Sequence, residues 1–121
     1  MFFSSSDSSQ KRNLALLRAV LRIFEANTNP SNFVRIGQNS FVRTLEGGLG
    51  MGTPFFTQKA ESMSDLEMAS ILRNRSNFDK RSIAQTLSAA FGETGNSLES
   101  KEVLLKIAYD CDIPINYLNI I

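Results

Sequence analysis

The chain is 121 residues long with a net charge of +1, 42% apolar residues, one cysteine and no histidine. One domain of ordinary size fits that length. A chain without histidine lacks the commonest general base and the commonest metal ligand, and a lone cysteine closes no internal disulfide. A catalytic triad cannot be drawn, so no enzyme activity and no cofactor are expected. No apolar run approaches the roughly 18 residues of a membrane span. The Ser-rich start, Met1 to Gln10, lacks a basic segment followed by an apolar one. The expected location is therefore cytoplasmic.

Residues 1–8 are small and polar and are expected to be disordered. Residues 9–121 are expected to form a single helical domain. Its first helix, predicted over 9–27, carries Leu14, Leu17, Leu21 and Phe24 on one stripe and Leu16, Val20 and Ile23 on the next. An apolar face that wide is expected to be buried on two sides, one of them against another chain. The other reading is the central core helix of a monomer.

Asn27-Thr-Asn-Pro30 stops this helix. A short helix is predicted over 30–36 and broken by Gly37. Asn39 then caps a second one over 40–46, presenting Phe41, Val42 and Leu45. The stretch 47–54 is glycine-rich, but no Lys-Ser or Lys-Thr follows it and no strand precedes it, so it is not a phosphate cradle. Thr53 is expected to cap a helix that starts at Pro54 and Phe55-Phe56.

Ser64-Asp-Leu-Glu67 is a capping box. It opens a helix to about Asn74 with Leu66, Ala69, Ile71 and Leu72 on its apolar side. Helices over 78–91, ended by Gly92, and over 97–110 follow. Ile83, Leu87, Phe91, Val103, Leu104 and Ile107 are expected to point inward. A final helix is expected to start at Pro114.

Two segments suggest nucleic-acid chemistry. The run from Arg73 to Arg81 holds four cations, Arg73, Arg75, Lys80 and Arg81, around a single anion, Asp79. Phe78 is expected to anchor it while the charges stay in water. The alternative is a solvated helix face. Near the C-terminus, Ala108, Ile113, Leu118 and Ile121 have the spacing of a helix-turn-helix. Ala108 is the small contact, Ile113 the turn anchor, and Leu118 and Ile121 the inner face. Asp112 stands where Gly is usual. The outer face offers Ile115, Asn116 and Asn119 without a cation, so this element alone should bind DNA poorly. The alternative is two packed helices that close the core.

Charge is unevenly spread. Residues 1–45 carry six basic and two acidic side chains, whereas residues 82–121 carry two basic and five acidic. Such asymmetry permits head-to-tail contact between copies or with a partner.

Asn13-Leu14, Leu16-Leu17, Leu21, Asn32-Phe33, Arg35-Ile36-Gly37, Asn39, Phe41 and Thr44-Leu45 resemble the flagellar master-regulator subunit FlhD and its relatives on mobile elements. The glycine-rich loop is longer than in that family, and no cysteine precedes Cys111. The resemblance implies an all-α fold with an intertwined homodimeric N-terminal core over 9–74 and a C-terminal helical region over 75–121. Leu14, Leu17, Leu21, Phe24 and Phe33 would form the dimer interface. It further implies a hetero-oligomer with an FlhC-like zinc-binding regulator subunit. That complex would bind promoter DNA, recruit RNA polymerase and activate transcription. Arg73, Arg75, Lys80, Arg81, Asn116 and Asn119 would then face DNA. The competing expectation is a helical adaptor that leaves DNA alone, such as a secretion chaperone or an anti-activator.

Overall fold

The computed structural model describes the backbone of residues 2–50 and 54–120 and the side chains of residues 8–50 and 56–120. Its order is α1 (Phe2–Glu25), α2 (Asn32–Gly48), α3 (Pro54–Ser62), α4 (Asp65–Arg73), α5 (Asn77–Glu93) and α6 (Leu98–Asp110), then one 3-10 turn (Ile115–Tyr117). The fold is all-α, with no strand among the described residues.

α1 is the hub, and each of the other five helices packs against it. Its two adjacent stripes explain this. Leu16, Leu17, Val20 and Ile23 are fully buried and Phe24 nearly so, while Ala15 and Ala19 let neighbours approach closely. The width of the apolar face is thus satisfied within one chain. Leu17 and Phe24, expected at a dimer interface, lie inside the single-chain core. Leu14 and Leu21 are half-buried, and Phe33 stands 87% exposed on α2. α1 also starts at Phe2, so the Ser-rich stretch expected to be disordered is helical. No Gly or Pro interrupts it, and extending a helix already nucleated costs little.

Four helices start as their serines dictate. Ser31, Ser64, Ser76 and Ser97 each accept a hydrogen bond from the backbone N–H three residues on. Such caps satisfy donors that the first turn otherwise orphans.

α2 corrects the prediction of two short helices. It runs through Gly37, because one glycine costs a helix only about 1 kcal/mol. Here it also makes room: a Cβ at Gly37 would lie 2.9 Å from Glu93 Oε1. The next residue, Gln38, is buried, and its Oε1 accepts from Asn27 Nδ2 at 2.9 Å. Asn27 also donates to the Thr94 carbonyl at 3.2 Å. This bridge ties the α1–α2 turn and α2 to the end of α5. α5 likewise passes through Gly92 and ends at Glu93, with Gly95 taking the left-handed conformation (φ 71°). On α4, Ala69 and Leu72 are buried as expected, but Leu66 is exposed and Met68 is buried in its place. The proposed cap Thr53 and the side chain of Phe55 lie outside the described residues.

α6 is fastened to α1 by a buried polar contact. Ser100 is fully buried, and its Oγ donates to the Ile23 carbonyl at 2.7 Å. Ser100→Ala removes the donor and leaves that carbonyl one bond short. The expected loss is about 0.5–1.5 kcal/mol, read by urea denaturation as a lower midpoint with an unchanged slope. A midpoint equal to wild type would show that the contact contributes nothing net.

Candidate nucleic-acid and partner-binding surfaces

The cationic run straddles the α4–α5 turn, and the structure engages all four of its cations. Arg73 reaches across to α6, where Nε donates to the Asp110 carbonyl at 3.0 Å and Nη2 donates to the same oxygen. That carbonyl lies at the C-terminus of α6, where a cation is favourable. Arg75 Nε donates to Asp79 Oδ2 at 2.7 Å. Arg81 lies over the Tyr117 ring, 4.3 Å from its centroid, within cation–π range.

Lys80 departs furthest from expectation. It is 6% exposed. Its Nζ donates to the Asp112 carbonyl at 3.1 Å and sits 3.8 Å from Asp112 Oδ2. It is therefore a clamp on the C-terminal turn, not a DNA-facing cation. Helical register explains the burial: Lys80 shares a stripe with Ile83, Ala84, Leu87 and Phe91, all buried. Phe78 stands on the opposite face with Ser82 and Gln85 and is 86% exposed, so it anchors nothing in the core.

Asp79 joins three elements. From α1, Arg12 donates through Nη2 at 2.7 Å and through Nε at 3.1 Å and 3.2 Å to the two carboxylate oxygens. Arg75 closes the group from the α4–α5 turn. Burial alone pushes the Asp79 carboxyl up, but the hydrogen bonds and charges of Arg12 and Arg75 outweigh it and hold the pKa below its ordinary value.

The expected recognition helix is replaced by something shorter. α6 ends at Asp110 with Cys111 as its C-cap, Asp112 turns left-handed (φ 54°), and the Ile113 N–H donates to the Ala108 carbonyl at 2.8 Å. Ala108, Ile113 and Leu118 are all buried in the core. After Pro114, however, only the single 3-10 turn forms, and Leu118 is extended. Asn is a poor helix former, and two of the seven residues from Ile115 to Ile121 are Asn. Asn116 and Asn119 are exposed, and the Asn119 N–H donates to Ser88 Oγ on α5 at 2.9 Å. They sit on an irregular tail rather than on a groove-reading helix. Ile121 lies outside the described residues.

Cys111 is buried, and its thiol is pushed up to about 11 by burial and by Asp110. It stays protonated at neutral pH and is a weak nucleophile. Among the described residues, no helix is long and apolar enough to cross a membrane.

Apolar surface remains. An open cleft of about 450 Å³ runs between α2 and α5, lined by Phe41, Leu45 and Leu49 on one side and Gln85, Thr86 and Ala89 on the other. Large apolar side chains also stand in water on α2 and α6: Phe33, Ile36, Leu98 and Tyr109. Of these, only Phe33 was expected at an interface. Register carries the signal for Ile36, Leu98 and Tyr109, because each falls off the buried stripe of its helix. No family model matches the chain, and neither the curated proteins nor the solved structures give a match.

Proposed function

We propose that this chain is a non-catalytic helical docking subunit, which acts by holding another protein and contacts DNA little by itself. One observation carries the reading: the cations of the 73–81 run are spent on this chain's own carboxylates, carbonyls and a ring. Phosphate attraction supplies most non-specific DNA affinity, and it needs cations free to release counterions. Phe33, Ile36, Leu98 and Tyr109 add exposed apolar surface, of the kind found at the cores of docking surfaces. A helical adaptor of the secretion-chaperone or anti-activator kind fits this description.

A second reading keeps the transcriptional role. Phe41, Thr44 and Leu45, which belong to the FlhD-like stretch, line the α2–α5 cleft. As a cytoplasmic activator subunit, the chain would form homodimers and dock an FlhC-like zinc-binding partner. Promoter contact and RNA polymerase recruitment would then fall to the complex.

Fluorescence anisotropy with duplex DNA tests the shared core of both readings. The purified chain is expected to bind with a Kd of about 10⁻⁶ M or weaker at physiological salt, without sequence preference. Nanomolar, sequence-specific binding by the chain alone would overturn it. Tight promoter binding that appears only with a zinc-binding partner present selects the activator reading.

A further inference from the structure

We infer that α2 of one copy packs antiparallel on α6 of a second copy, through two apolar seams of opposite charge. The seam on α2 is Phe33, Ile36, Ser40 and Arg43, all exposed, with Phe33 at 87% and Ile36 at 68%. The seam on α6 is Leu98, Glu102, Leu105 and Tyr109. Leu98 is 72% and Tyr109 84% exposed, Glu102 is exposed, and Leu105 is half-buried. Both sets repeat at alternating three- and four-residue steps, the spacing that keeps a stripe facing a partner helix over several turns. Apart from Leu105, half-buried against the core, the side chains of both seams are exposed in the single chain.

Register and charge select the orientation. With the helices antiparallel, Phe33 faces Tyr109, Ile36 faces Leu105 and Ser40 faces Glu102. Arg43 then falls among Leu98, Glu99 and Glu102. Two apolar pairs form, Phe33 with Tyr109 and Ile36 with Leu105, while Arg43 lies beside Leu98 within reach of the Glu99 and Glu102 carboxylates. Placed parallel, the same seams would bury Glu102 against Ile36. Neither Arg43 nor Glu102 is held in an ion pair among the described residues. Interfacial charge of this kind sets orientation and partner choice more than raw affinity. A second copy fits because the chain itself supplies both halves. The contact is heterologous, so it closes a dimer only if a two-fold axis makes it twice, and otherwise it propagates.

This self-contact rests on the docking reading but fails independently of it. Sedimentation velocity of the full chain at rising micromolar concentration is expected to show reversible association. Phe33→Ser and Tyr109→Ser should each weaken it about tenfold or more, since each removes a large apolar side chain from the contact. Thermal melts at concentrations too low for association should not change, because both rings are exposed in the single chain. Arg43→Glu and Glu102→Arg should each weaken association, and the double reversal in one chain should restore it. Orientation is read by mixing Ser40→Cys chains with Glu102→Cys chains under mild oxidation. A mixed disulfide is expected, against little background from the buried Cys111. A chain that stays monomeric, or one whose association is indifferent to Phe33→Ser and Tyr109→Ser, overturns the contact. A monomeric chain that still captures a different protein through its apolar surface leaves the docking reading standing.

Discussion

Leu17→Asp is expected to yield a chain that does not fold. Leu17 is 0% exposed on the helix that every other helix packs against. Removing a buried leucine side chain alone costs about 2–5 kcal/mol. An aspartate at that site adds the cost of burying a carboxylate without a partner, several kcal/mol more. A domain of this size has only about 5–15 kcal/mol of net stability. Far-UV circular dichroism at room temperature should show lost helicity or aggregation. The same variant separates two accounts of the α1 belt. If Leu17 served only a subunit interface, Leu17→Asp would give a folded monomer with a native melt. That result would contradict its burial within one chain.

The fold was legible where local chemistry decides it. Ser64 is a capping residue in the sequence and in the structure, and of the residues expected inward on α5 and α6, Ile83, Leu87, Phe91, Leu104 and Ile107 are buried and Val103 half-buried. The width of the α1 face was legible too, but its meaning was not. Period alone cannot say whether a second stripe is covered by another chain or by a fifth helix. Gly37 shows a different limit. As a single residue it reads as a break, yet the Asn27–Gln38 bridge and the close approach of Glu93 hold the helix through it. Tertiary contacts outweighed a propensity worth about 1 kcal/mol.

The candidate site was less legible, because a run of charges was read by composition and not by register. Lys80, Ile83, Ala84, Leu87 and Phe91 lie on one stripe of α5, so the burial of Lys80 was implied by spacing. Phe78, on the other face, was bound to be exposed. What no spacing reveals is the destination of each charge. That Arg12 crosses from α1 to Asp79, or that Asp112 offers its carbonyl to Lys80, depends on how the helices cross. The C-terminal tail combined both cases. The burial of Ala108, Ile113 and Leu118 agrees with their apolar spacing, while the helix expected after Pro114 had too few residues and too many asparagines to form.

Asp79→Asn is expected to lower stability by about 1.5–3 kcal/mol, the range for hydrogen bonds to charged groups. The carboxylate is largely covered and receives two guanidinium groups, one from α1 and one from the α4–α5 turn. It also sits in the first turn of α5, where negative charge is favoured. The neutral amide keeps the shape, loses the charge and leaves Arg12 and Arg75 facing each other. At neutral pH the Tm should fall by roughly 6–12 °C. The pH dependence identifies the cause. The pKa of Asp79 is lowered on folding from an ordinary value of 3.8. Its contribution is therefore fully present above that value and is lost as pH falls through the lower folded value. The gap in Tm between wild type and Asp79→Asn should stay constant above about pH 5 and narrow progressively below 3.8. The variant, with no carboxyl at 79, should show the shallower acid slope. A gap that persists unchanged into acid would mean that the loss comes from packing, and the Arg12–Asp79–Arg75 group would not be what ties α1 to α5.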